Sequence, residues 1–243
     1  MVGALAVVPV SRINRKAGTI VAVVFPLLAA LSASAIIPDV LKGESIDLQV
    51  DWIPSLGIKA GLLIDPLSVL MSNVVAWVSF LITVYSIGYM EKEASLTRYW
   101  FFIDYFIGNM LLLILSDNLL QLMFGWEGVG LCSYALIGYW YSDESDKWVG
   151  SEGHKAWGIP MAYSPSHAGL KAFVMTRIGD IGLLVAIFVI YATAGTLNLV
   201  ELSENISWAG DLARVGFLLP TGLLMFWGPV GKSAQIPLQE WLP

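Results

Sequence analysis

Apolar residues come in long blocks along this chain, and short polar stretches separate them. A helix needs roughly 20 residues, and at least ~17, to cross ~30 Å of hydrocarbon. Six segments reach that length: 17–37, 66–90, 99–115, 118–141, 167–194 and 212–234. Backbone groups in lipid must be satisfied within their own segment, so each block predicts a transmembrane helix. Residues 2–10 are also apolar but would make a helix only about 14 Å long. That stretch lacks a basic leader and does not read as a signal peptide; it resembles the end of a helix whose beginning is missing.

Two polar connections carry patterns of their own. Between the first two blocks, Ile46, Leu48, Val50 and Trp52 alternate with Asp47, Gln49 and Asp51, a strand period. Pro54–Leu56 and Gly57 give a turn signal, and Ile58–Ile64 supplies a return strand. The expectation is a small hairpin outside the membrane, with an ordered loop as the alternative. The connection 142–166 is polar and rich in Gly, Ser and Pro, so it reads as a solvated loop, with His154 a solvated histidine.

Composition agrees with the pattern. The chain is 57% hydrophobic and only 13% charged, where soluble domains carry about 25% charge, and its mean hydropathy is +0.72. The fold class predicted is all-α, a polytopic transmembrane helix bundle with a small extracytoplasmic β-hairpin. Cys132 is the one cysteine, so an intrachain disulfide and a cysteine-based metal site are excluded. With His154 and His167 as the only histidines, haem, iron–sulfur or structural zinc binding by this chain alone is not expected. A net charge of −6 argues against nucleic acid. A lipid bilayer is the partner that composition demands, and the expected location is the cell (plasma) membrane.

Charge sets the orientation. Placing Arg12, Arg15 and Lys16 in the cytoplasm puts Lys92, Arg98, Lys147 and Lys155 there too. The outer set then holds Lys42, Lys59 and Arg214, with the acids Asp39, Glu44, Asp47, Asp51, Asp65, Asp117, Glu201, Glu204 and Asp211.

Six acidic or basic groups fall inside the blocks away from their first few residues: Asp104, Glu127, Lys171, Arg177, Asp180 and Lys232. A charge at the bilayer centre costs on the order of 2.5–3.5 kcal/mol on insertion scales, so such groups are functional candidates. Glu127 lies roughly 4 Å from the middle of its segment, too deep to snorkel. Gly125, Gly128, Gly130 and Cys132 around it permit close helix approach; its bland reading is a structural carboxyl. Arg177 and Asp180 are three residues apart and share a face, which suits either an internal ion pair or a functional one. Lys171 is nearer the cytoplasmic end and either snorkels or joins them. Asp104 falls near the start of its segment and reads as interfacial. Lys232 follows Pro220, Gly222, Gly228, Pro229 and Gly231 and precedes Pro237, the mark of an interrupted helix. Breaks at membrane depth line cavities or ion sites. There, burial penalises an ammonium and a nearby acid favours it, so moving or neutralising that acid loads or unloads a proton.

Three ordered motifs carry a family resemblance: residues 125–134 (GWEGVGLCSY), 171–180 (KAFVMTRIGD) and 231–243 (GKSAQIPLQEWLP), supported by 64–70 (IDPLSVL). Together they resemble the antiporter-like subunits of respiratory complex I, most closely the distal L-type (chain 5) member. The loop 142–166 resembles archaeal versions, which act with reduced deazaflavin coenzyme rather than NADH. The resemblance implies the first half of an inverted-repeat antiporter-like fold. Residues 1–65 would hold the N-terminal helices and hairpin, and residues 66–243 the proton-translocating repeat. It also implies a coupled proton pair, Glu127 and Lys232, with Lys171, Arg177 and Asp180 in the same polar region. This chain would bind no cofactor. NADH or deazaflavin, flavin, iron–sulfur clusters and quinone would sit on partner subunits of a complex I-like assembly. The second repeat of the family is absent, so the chain reads as an N-terminal fragment or half of a split subunit. The leading function is redox-driven proton translocation. The alternatives are a multi-subunit sodium/proton antiporter and an inert truncated product.

Overall fold

A computed structural model describes residues 1–43, 45–156 and 158–241 of the chain. Glu44 of the outer acidic set and Leu242 and Pro243 of the third motif lie outside the described residues. The elements run α1 (Val2–Ile13), α2 (Arg15–Ala35), α3 (Ile37–Leu41), β1 (Ile46–Ile53), β2 (Ile58–Ile64), α4 (Pro66–Tyr89), α5 (Leu96–Ile114) and α6 (Leu119–Ile137). They continue with β3 (Val149–Ala156), β4 (Ile159–Tyr163), α7 (Pro165–Ala194), α8 (Leu199–Glu204), α9 (Ser207–Arg214) and α10 (Leu218–Lys232).

Local chemistry fixes several boundaries. The Asn14 side chain accepts hydrogen bonds from the amides of Lys16 and Ala17, at 2.8 and 3.4 Å, and so starts α2. Asp65 and Ser68 form a reciprocal capping box at the head of α4. The Ser68 amide donates to Asp65 Oδ1 at 2.6 Å, and the Asp65 amide donates to Ser68 Oγ at 2.8 Å. Pro66 occupies the first helical position, where its missing N–H costs nothing. The motif IDPLSVL is therefore a helix-start device.

Four helices among the described residues are long and apolar enough to cross a membrane: Arg15–Leu41, Pro66–Tyr89, Leu119–Ile137 and Pro165–Ala194. Two expected spans differ. The helix α5 forms over the expected stretch but, carrying Arg98, Asp104 and Asn109, is not among those four. The last span is broken: α9 and α10 meet at 114°, with Gly216 in the left-handed conformation at φ 77° between them.

The chain divides into two compact units, Met1–Val129 with Ile190–Trp208, and Gly130–Val189 with Ala209–Pro243. In the first, α2 and α4 pack through Ala30, Ala33 and Ala76, with Leu111 of α5 against them. A polar tie runs beside this seam: Asn73 donates to the Ala33 carbonyl at 2.9 Å, Ser34 to Asn73 Oδ1 at 2.8 Å, and Trp77 to Ser34 Oγ at 2.9 Å.

The expected hairpin β1–β2 is present, paired from Ile46↔Ile64 to Ile53↔Ile58. It is clamped to the head of α6. The Gln121 amide side chain both accepts from Gly61 N–H at 2.9 Å and donates to Gly61 C=O at 2.7 Å. Asn118 donates to the Lys59 carbonyl at 2.8 Å, and Leu63 N–H to Leu115 C=O at 2.9 Å. Asp117 C=O accepts from Leu199 N–H at 2.7 Å at the same end. The connections assigned to the outer side thus converge. At the other end of α2, Arg15 donates to the carbonyls of Glu91 and Glu93 at 3.1 and 2.6 Å, joining two connections assigned to the cytoplasm.

Two readings are corrected. Residues 142–166 are not a plain loop: β3 and β4 form an antiparallel hairpin. Its glycines and mixed polarity hide the strand period, and a contact distant in sequence closes its base. Asp143 accepts the Ser166 amide at 2.9 Å and also the Ser166 hydroxyl, which caps the start of α7. Those two hydrogen bonds, hydroxyl first, hold the Asp143 carboxyl below its ordinary range. Asp104 is not near the start of its helix. The helix starts earlier than the apolar pattern suggests, so Asp104 sits well inside it, 4% exposed, with Gly3 of α1 against it.

Candidate functional site: a carboxylate shared by two cations

Within the second unit, α7 and α10 approach with almost nothing between their backbones. A Cβ at Gly179 would stand 2.9 Å from the Trp227 carbonyl and 3.0 Å from Gly231 Cα; one at Gly182 would meet Trp227 Cβ at 2.9 Å. Only glycine permits this. The residues following two of these glycines, Asp180 and Lys232, are thereby brought together.

Lys232 Nζ lies 3.6 Å from Asp180 Oδ2, and Arg177 Nη1 lies 3.9 Å from the same oxygen. Asp180 is 1% exposed, while the Lys232 side chain keeps 17%. The Arg177 guanidinium also covers the Phe173 ring, 4.5 Å from its centroid. One buried carboxylate therefore serves two cations. The predicted Arg177–Asp180 pair exists, and the interrupted helix delivers Lys232 to it.

Lys232 is the last residue of α10, where the helix dipole favours a cation. Pro229 within that helix donates no backbone hydrogen bond. Beyond Lys232 the chain turns sharply: Ser233 N–H donates to Pro229 C=O at 2.9 Å and Gln235 N–H to Val230 C=O at 3.0 Å. Ala234 adopts the left-handed conformation, φ 49°. The Trp241 indole then reaches back to the Gly231 carbonyl at 2.9 Å. Opposite, a Cβ at Gly130 of α6 would collide with Lys232 Nζ. The ammonium occupies the space that a side chain at 130 would fill.

Of the other predicted site residues, Lys171 lies apart from this trio. Lys171 sits nine residues before Asp180 on α7, about 13 Å along the helix. Its partner is Glu240, at 2.8 Å, a residue the sequence reading passed over. Glu240 is an isolated acid in a short polar stretch, and such acids read as solvated; only folding returns it to α7. Glu127 belongs to the first unit and is half-buried. The glycines flanking it act as expected. A Cβ at Gly125 would stand 2.8 Å from the Asn109 carbonyl and the Leu113 nitrogen, and one at Gly128 would clash with the Asn109 side chain. Asn109, 2% exposed and donating to Tyr105 C=O at 2.7 Å, was also missed.

Two family models match the chain. One, described as NADH-ubiquinone oxidoreductase (complex I), chain 5 N-terminus, covers residues 52–100. The other, NADH:quinone oxidoreductase/Mrp antiporter, TM, covers 116–148 and 161–243. The chain belongs to this family of antiporter-like membrane subunits. It is an integral membrane protein.

Among its relatives, NADH-quinone oxidoreductase subunit L of Escherichia coli is 39% identical over 220 residues, 88% of this chain and 33% of that protein. The subunit of the same name from Rickettsia bellii is 36% identical over 247 residues, 96% of this chain and 35% of that one. The chain thus spans about a third of the length of these relatives. Two solved assemblies share the fold. The Mrp complex from Dietzia sp. matches with a TM-score of 0.74 at 23% identity, over 100% of this chain and 24% of the other. The membrane-bound sulfane sulfur reductase, an archaeal respiratory membrane complex, matches at 0.75 and 21% identity, over 99% and 44%.

Proposed function

We propose that this chain is part of a proton-translocating membrane subunit of a complex I-like oxidoreductase. Residues 66–243 supply one helix repeat, and electron transfer takes place on partner subunits. The donor is NADH or a reduced deazaflavin coenzyme, with flavin, iron–sulfur clusters and quinone held by those partners. The observation that carries this reading is Lys232 at the end of a broken membrane helix, against a carboxylate that it shares with Arg177.

The chemistry follows from burial. An ammonium in a water-poor site is tolerable only while an acid compensates it. If Asp180 turns toward Arg177, or a further positive charge approaches, the Lys232 proton becomes costly and is shed. When the acid returns, the proton reloads. Glu127 supplies a second carboxyl for this exchange. It lies on α6 three residues before Gly130, the position whose Cβ space the Lys232 ammonium fills. Arg177, Asp180 and Lys171 tune the exchange.

The test is pumping by the full-length protein in its complex, reconstituted in proteoliposomes. Glu127→Gln and Lys232→Ala each reduce both pumping and the coupled electron transfer. Normal proton stoichiometry in both variants would show that the pair is misassigned. The Mrp antiporter in the description of the second family model favours another reading, sodium/proton exchange. Sodium-dependent proton movement with no redox substrate present distinguishes that activity.

A further inference from the structure

The segment after Lys232 folds back over α7 and brings one more acid to the unit. Glu240 Oε2 lies 2.8 Å from Lys171 Nζ. The glutamate side chain is 66% exposed and the lysine 29%, so the pair runs from solvent-facing to half-buried. Next door, the Trp241 indole holds the Gly231 carbonyl at 2.9 Å. The segment bearing Glu240 is thus tied to the backbone of the residue before Lys232. On the other side, the Lys171 ammonium sits 5.2 Å from the Tyr163 ring centroid, and that ring stacks on His167 at 4.8 Å. Further along α7, toward Asp180, Thr176 is buried, 5% exposed.

We propose that Glu240 is a further proton-handling residue. Paired with Lys171, it forms the intake on the side of the β3–β4 hairpin that serves the Asp180–Lys232 cluster. This rests on the proton-translocation reading above. An exposed carboxylate collects protons from water at a diffusion-limited rate: it takes one from hydronium and leaves a water molecule. Once it is neutral, Lys171 carries an uncompensated positive charge on the helix that holds Asp180. That charge favours proton departure from Lys232. When Glu240 passes that proton on, through water, to the neutral Lys232 amine, the Glu240 carboxylate and its Lys171 pair reform and the cluster is reloaded. Among the described residues, the titratable groups in contact at this corner include Lys171 and His167 on α7 and Tyr163 on β4. The hydrogen bond from Lys171, and then its charge, hold Glu240 below the ordinary carboxylate range, so it is ionised at neutral pH and ready to accept.

The experiment measures initial pumping rates against pH in proteoliposomes containing the full complex, for wild type, Glu240→Gln and Glu240→Asp. The proposal expects Glu240→Gln to slow pumping at least threefold above neutral pH, where protons are scarce. The loss shrinks toward acid pH, and Glu240→Asp stays close to wild type. Unchanged rates and pH profile in Glu240→Gln overturn it. Equal slowing of both variants at every pH also overturns it, because that marks a structural role. Should Glu240→Gln fail to assemble, the exchanged pair Lys171→Glu with Glu240→Lys takes its place: the proposal expects recovery over Lys171→Glu alone, and no recovery overturns it. Glu127→Gln and Lys232→Ala run alongside. If they pump normally, the underlying reading fails; if they are impaired while Glu240→Gln is normal, only the Glu240 assignment fails.

Discussion

Lys232 and Asp180 meet at 3.6 Å because the glycines before them, Gly231 and Gly179, let α10 and α7 touch backbone to backbone. The carboxylate is buried and its two cations, Lys232 and Arg177, are not separable from it without cost. Breaking a buried ion pair by removing one partner costs about 3–5 kcal/mol, because it strands the other charge. Asp180→Asn is therefore expected to lower thermal stability substantially and to reduce pumping by tenfold or more. Adding Lys232→Met to Asp180→Asn recovers most of the stability and none of the pumping. Melting curves and proteoliposome assays on the same preparations check both halves.

Gly130 and Gly128 give a matched contrast. Alanine at 130 strikes the Lys232 ammonium, and alanine at 128 strikes the Asn109 side chain. Both substitutions overpack a helix seam and cost roughly 1–3 kcal/mol. Only Gly130→Ala is expected to change the pH profile of pumping, since it alone crowds the titrating group. A pH-dependent pumping series on both variants, normalised for assembled complex, measures the difference.

Asp104 is buried at mid-helix in α5, and neither of its carboxylate oxygens has a hydrogen-bond partner among the described residues. Burying a carboxylate without hydrogen-bond partners is destabilising. Asp104→Asn is expected to hold or raise stability, by up to about 1–3 kcal/mol. An increased melting temperature in detergent supports this; a fall by several degrees shows that the carboxylate contributes a stabilising interaction in the full protein.

Gln121 joins the outer hairpin to α6 through two hydrogen bonds with Gly61. Gln121→Leu leaves a buried peptide N–H and C=O unsatisfied, at a cost of about 1–3 kcal/mol. Hydrogen exchange is expected to quicken across Ile58–Ile64 while α4 stays protected.

Asp143 joins the base of the second hairpin to the head of α7, and the hydrogen bonds from Ser166 depress its proton affinity. A depressed carboxyl contributes stability above its unfolded value, near pH 3.9. That contribution is lost as pH falls through the lower folded value. Ser166→Ala is expected to destabilise at neutral pH, with the difference from wild type closing below about pH 4. Chemical denaturation at pH 7 and at pH 3 reads the sign directly.

The apolar blocks, the first hairpin and the acid–base groups within those blocks were legible in the residues alone. Period and composition act locally: a strand alternates whatever lies beside it, and a run of apolar residues spans lipid in any bundle. Arg177 and Asp180 were readable as a pair for the same reason, since three residues on a helix fix their separation. What lay beyond the sequence were meetings between distant segments. The second hairpin depends on Asp143 closing onto Ser166; the depth of Asp104 depends on where α5 begins and on α1 beside it. That Lys232 reaches Asp180, and that Glu240 returns to Lys171, follow from backbone approach at Gly179, Gly182 and Gly231 and from the turn after α10. A sequence displays which positions lack a Cβ. Which backbone comes to fill that space is a tertiary fact, because it is set by the summed packing of the helices.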